Sequence, residues 1–223
     1  MAISRVQSAS ASSAGSTTSL AVTMGSTPTT GNFMVAIIAT NGGATGQVSS
    51  IAQTGATWVK AIDVASASCT VDIWYAENIS SAGTGVTISY GASRTNNAIV
   101  LEYSGIATSS SLDVTASNTG TYPGTADSGT TATTAQANEL WIAGLDDVQF
   151  PSGTWNAPSN SFTEIVEVAN IFLNLVGEEK IVSATGTANT SAGRGSAPLS
   201  GNWAGAIATF KEAPAATRRI FVV

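Results

Sequence analysis

Apolar stretches of strand length recur about every 10 to 20 residues along the chain, each bounded by clusters of Gly, Ser, Asn and Thr. They predict strands at 19–24, 32–40, 57–64, 69–77, 85–90 and 96–104, and again at 139–146, 162–169, 171–180 and 202–211. Helical periodicity is nearly absent. Between Cys69 and Tyr75 polar and apolar residues alternate for most of the run, which is the period of a sheet with one buried face. Residues 32–40 are apolar almost throughout and suit a central strand covered on both sides.

The chain also echoes itself. GNFMVAIIAT at 31–40 is matched by ANELWIAGLD at 137–146, an offset of 106. TWVKAIDV at 57 is matched by SFTEIVEV at 161, an offset of 104. ENISSAGTGV at 77 is matched by EKIVSATGTA at 179, and NNAIVLEYSG at 96 by NWAGAIATFK at 202. Four matches in one order predict two related halves. The fold class that follows is all-β: a jelly-roll-like β-sandwich of two related Greek-key halves, with extended N- and C-terminal arms. Its divisions are an arm or edge strand at 1–19, a sandwich domain at 20–213 and a tail at 214–223. Within the domain, halves at 20–106 and 130–213 are joined by a Ser/Thr/Gly-rich linker at 107–129.

Composition narrows the function. The 223 residues include 30 Thr, 29 Ser and 22 Gly, yet 43% are apolar, enough for a substantial core. Only 10% are charged, against roughly 25% in ordinary soluble domains. The net charge of −6 and the scatter of the eight basic residues argue against nucleic acid. The longest apolar run, 33–39, is too short to span a membrane. The first residues carry no apolar stretch that would serve as a signal peptide, so synthesis and assembly in the cytoplasm are expected.

Catalytic chemistry is poorly supplied. There is no histidine, and the single cysteine, Cys69, alternates with core positions as a small buried hydrophobe does. No serine has a histidine or a positioned lysine to activate it. Glu102, Glu164, Glu167, Glu178 and Glu179 are conceivable glycosidase carboxylates, but surface exposure on strands accounts better for Glu102 and Glu167. Asp146, read as ending a strand, is placed to meet Asp113 or Asp127 at a calcium site, although no D-x-D-x-D-G spacing supports one. No enzyme, cofactor or metal is therefore expected. Among the aromatics, Trp74, Trp141 and Trp203 read as core. Trp58, Trp155 and Tyr122 are the candidates for an exposed sugar-stacking platform, with Trp155 and Tyr122 the glycan contacts of choice.

The motifs GN-x-M-V-A, TW-V-x-A, IWYAENISSAG, VTISY, LEYSGI, LDVTAS, TTATTAQANEL-WIA and NWAGAIATFKEA occur in this order over 20–213. In that order they resemble the β-sandwich domain of bacteriophage virion proteins and modular bacterial surface proteins. The resemblance implies a structural or adhesive module and brings no catalytic residues with it. The expectation is a virion structural protein, decorating a capsid or building a tail or fibre, that associates with itself and with other virion proteins. The alternative is a module that binds cell-surface glycans. Behind the linker EAPAAT, the apolar end Ile220, Phe221, Val222 and Val223 is the candidate assembly contact.

Overall fold

The computed structural model describes residues 2–148, 153–195 and 201–214, and among them there is no helix. Four antiparallel sheets stack into one body. The first five-stranded sheet has the order β1 (Ser4–Ser12), β8 (Asn96–Ser104), β3 (Phe33–Asn41), β6 (Cys69–Ala76), β5 (Val59–Ala65). Its outer face is covered by the three-stranded sheet β2 (Thr17–Thr23), β7 (Gly85–Arg94), β4 (Val48–Ala52). The second five-stranded sheet has the order β12 (Thr163–Ala169), β13 (Leu173–Ser183), β11 (Asn138–Val148), β15 (Asn202–Lys211), β9 (Leu112–Thr121). Its outer face carries only the short ribbon β10 (Ala126–Asp127) with β14 (Ser191–Ala192), and long connections.

The two five-stranded sheets face each other, and the central core lies between them. Phe33, Val35, Ile37 and Ala39 on β3, with Val71, Ile73, Ile99 and Leu101, meet Leu140, Ile142, Leu175, Ala206 and Phe210. Alternate residues of β3, Met34, Ala36 and Ile38, point the other way into a second core with Leu20, Val22, Val86 and Ile88. That is why β3 has no polar face. Sheet contact is closest where β11 and β13 carry glycine. A Cβ on Gly177 would stand 2.9 Å from Ile99 Cδ1 and 3.1 Å from Ile37 Cδ1, and one on Gly144 would collide with Ile37 Cγ2.

All ten strands expected from the sequence are present, and the two five-stranded sheets have the same strand order. Three of the four matched segments fall on β3 and β11, β5 and β12, and β8 and β15; the fourth does not, because residue 77 lies beyond the end of β6 whereas 179 lies inside β13. For β5 and β12 the match is correct to the residue: both strands carry a bulge, between Lys60 and Ile62 and between Glu164 and Val166, 104 residues apart. For β3 and β11, and for β8 and β15, it slips by one. Ile37 lies opposite Ile73 and Ile99, whereas Gly144 lies opposite Gly177 and Ala206, so the structural offset is 107 rather than 106. A one-residue slip exchanges the faces of a strand.

One division needs correction. Residues 107–129 are not a linker, because β9 and β10 lie within them and the connection between halves is only the stretch from Gly105 to Ser111. Of the two readings of 1–19, an arm or an edge strand, the described residues form the edge strand: β1 pairs with β8 from Ser4 to Ser12, and β2 has begun by Thr17. Both β1 and β9 are edge strands of Ser, Thr and Ala, and an edge strand buries too little to need an apolar run. The tail at 214–223 falls almost wholly outside the described residues.

Candidate functional site

Fourteen carboxylates and six of the eight basic residues are described, and of these twenty only Arg5 and Glu164 are exposed. Asp72, Glu102, Glu139, Asp146, Asp147, Glu178 and Arg194 are buried outright. The outer surface is therefore made of Ser, Thr, Asn, Gly and Ala, poorer in charge than the composition alone suggests.

Glu102 is not a surface residue of β8 but a hub beneath the 26–32 loop. Its oxygens accept hydrogen bonds from Gln7 Nε2 at 2.6 Å, the Thr29 backbone N–H at 2.7 Å and Asn32 Nδ2 at 2.6 Å. Glu102 pins the edge strand β1 and that loop to the sheet. Replacing it with glutamine turns one acceptor into a donor facing other donors, and a loss of about 1–3 kcal/mol is expected in urea denaturation.

The adjacent acidic pairs form no catalytic dyad, because neighbouring residues on a strand face opposite ways. Asp147 points outward, accepting from the Tyr122 hydroxyl at 2.9 Å with Arg194 Nε 3.2 Å away. Asp146 points toward the central core beside Cys69, and burial together with the charge of Asp147 pushes its carboxyl well above the usual range. It lies inside β11 rather than at its end, and its electrostatic neighbours are Asp147, Cys69 and Arg194, not Asp113 or Asp127. Glu178 faces outward to the Thr190 hydroxyl at 2.6 Å, whereas Glu179 faces inward, taking the Tyr103 hydroxyl and lying 3.6 Å from Arg5. Glu167 is half-buried, holding Asn174 Nδ2 at 2.7 Å and the Trp155 backbone N–H at 3.1 Å. Among the described residues no group of three or more His, Cys, Asp or Glu is placed to hold a metal. Cys69 is buried, and its thiol pKa is pushed up first by that burial.

The aromatic platform does not form. Trp155 is only 6% exposed and Tyr122 7%. The Trp155 indole N–H donates to the Asn174 carbonyl at 3.1 Å, and the Arg194 guanidinium lies 4.8 Å from its ring centroid. These rings, with Trp203 and Leu145, fill the outer face of the second half, where the first half has a three-stranded sheet. With only a two-residue ribbon there, loop aromatics must supply the missing bulk. Trp203 lies over its partner Gly120, where any side chain would collide with the indole. Trp58 is also buried, donating to Gln53 Oε1 at 3.2 Å. Of the three tryptophans expected in the core, Trp141 and Trp203 are buried and Trp74 is half-buried under Lys60. Ile220, Phe221, Val222 and Val223 lie outside the described residues.

The outer face of the second half does carry an open groove of about 530 Å³, bordered by Thr130, Asn160, Ser161, Thr187 and Asn189. Trp141 and, on β13, Lys180 also line it, the Lys180 ammonium lying 5.4 Å from the Trp141 ring centroid and 5.8 Å from that of Phe162. Lys180 Nζ donates to the Asn160 carbonyl at 2.7 Å. Asn160 Nδ2 donates in turn to the Asn189 carbonyl and side-chain oxygens at 3.0 and 3.2 Å. Asn189 is held by Asp127 Oδ2 and the Gly129 carbonyl, each at 3.0 Å. Asn160 and Ser161 both have left-handed backbone, with φ of 54° and 60°. Sequence reasoning missed this place because Trp141 reads as core and the polar residues come from separate loops.

Comparison with protein-family models, curated proteins and solved structures finds no match to this chain.

Proposed function

We propose that this chain is a non-enzymatic structural subunit that works by multi-copy assembly, as a capsid-decorating, tail or fibre component of a bacteriophage virion. The observation that carries the reading is the sparseness of fully exposed charge: of the twenty described charged residues two are exposed, eleven are partly exposed and seven are buried. Close packing of copies then desolvates little charge, and hydroxyls and amides re-pair across the contact. Strand order supports a jelly-roll-like reading of the first half. The order β1-β8-β3-β6 against β2-β7-β4 is compatible with a jelly roll in which β5 has moved beside β6.

Sedimentation of the purified protein is expected to give a defined oligomer whose mass does not change between about 0.1 and about 1 M salt. Over that range the screening length falls from about 10 Å to about 3 Å, which weakens contacts between charged surfaces but not uncharged ones. A monomer at every concentration, or dissociation by salt, would remove the reading. The second reading, a glycan-binding module, moves from Trp155 and Tyr122 to the groove around Lys180, the open polar concavity described above.

A further inference from the structure

We propose that the groove around Lys180 is a binding site for an acidic saccharide, in which Lys180 receives a uronic-acid-type carboxylate and the surrounding hydroxyls and amides receive ring hydroxyls. The assignment rests on the glycan-binding reading and does not depend on the assembly reading. Arg5, Lys60, Arg194 and Lys211 each have a carboxylate within 4.0 Å, whereas Lys180 and Arg94 have none among the described residues, and of these two only Lys180 lines the groove. In a chain of net charge −6, an ammonium left without a counter-ion in a concavity stands out. It is also held in place: one N–H is spent on the Asn160 carbonyl, the ammonium lies over the Trp141 and Phe162 rings, and two N–H donors remain.

The walls match the rest of such a ligand. The Asn160–Asn189 pair is locked by three further hydrogen bonds, to the Asn189 backbone, Asp127 and Gly129, so it is pre-organised rather than floppy. Thr130 and Thr187 add hydroxyls at the border. Neutral donors and acceptors around one fixed cation suit a polyhydroxylated ring bearing a carboxylate. An acidic peptide would engage chiefly by backbone pairing along a sheet edge, such as β13 beyond its last pair with β12 at Thr163–Glu179, rather than through the side-chain hydroxyls and amides of this border.

The test is an NMR titration of the whole chain with trigalacturonate, maltotriose and a triglutamate peptide. Trigalacturonate is expected to saturate with a dissociation constant on the order of 1 mM, shifting amides of Asn160, Ser161, Lys180 and Asn189. Maltotriose is expected to bind at least about tenfold more weakly. Lys180→Gln should lose about tenfold in trigalacturonate affinity, and Lys180→Arg, which keeps the charge, should retain binding within about threefold. The proposal is overturned by no saturable shift in these residues, by equal binding to Lys180→Gln, or by equal or tighter binding of the triglutamate peptide.

Discussion

Raising the pH from about 5 to about 8 is expected to destabilise the folded protein by on the order of 5 kcal/mol, lowering Tm by about 10 °C or more. The cause is the set of carboxyls taken into the sheets. Burial raises Asp72 and Asp147 to about 6, against the pull of Lys60 and Arg194 respectively. Burial raises Glu139 and Glu178 to about 7, helped by Asp113 in the first case and Glu164 in the second. Asp146 is raised further still. Each group holds its proton more tightly folded than unfolded. Its stabilisation is complete below the unfolded value near 4 and is lost as pH rises through the folded value, here between about 6 and 7. Asp63 has the opposite sign, lowered where Lys60 and the Gly46 N–H hold its charge, but its effect falls below pH 4. Thermal unfolding at the two pH values checks the sign, and a Tm equal or higher at pH 8 would show that these carboxyls are charged when folded. Glu178→Gln should flatten the profile by one group's share, because the amide cannot ionise.

The second large effect is at the contact between the two five-stranded sheets. Gly144→Val is expected to cost about 3 kcal/mol or more, the upper end of overpacking, because Ile37 is fully enclosed and its Cγ2 already occupies the space. Val71 Cγ1, 3.2 Å from the same position, closes the other exit. Ile37→Ala alone should cost about 2–5 kcal/mol by leaving a cavity in the central core. Combined, the two should cost about 1–3 kcal/mol less than their sum, since the valine fills the space the isoleucine vacates. Urea denaturation of the two single variants and the double variant measures this. Strict additivity would mean that Ile37 and position 144 do not share the contact. A single transition is also expected, because the central core draws on both halves and neither can expose its inner sheet alone.

Glu102 shows where reading the residues in order reaches its limit. In LEYSG it looks like the outward position of an alternating strand, but β8 is covered on both faces and the 26–32 loop folds over it. Alternation reports that a strand has two faces, not that one of them is wet. Trp155 fails in the same way: a tryptophan among Pro, Ser, Gly and Asn reads as exposed, and only the thin outer layer of the second half explains why it is buried.

By itself the sequence determined the all-β class, the ten apolar strands and the pairing of segments between the halves. Period-2 burial and turn chemistry are local properties written into consecutive residues. It also ruled on supply: with no histidine and one cysteine, much familiar site chemistry has no residues to use. The edge strand β9 escaped, and β1 was readable only as an arm or an edge strand, because Ser/Thr-rich edges carry no local signature. Tertiary structure alone decided which face each strand turns to the partner sheet, since a one-residue register difference reverses it. It also decided where the charges go, bringing Asp127, Asn160, Lys180 and Asn189 together from four segments and drawing nearly every carboxylate out of full exposure. Contacts between residues distant in sequence depend on how sheets stack, and no local pattern encodes that.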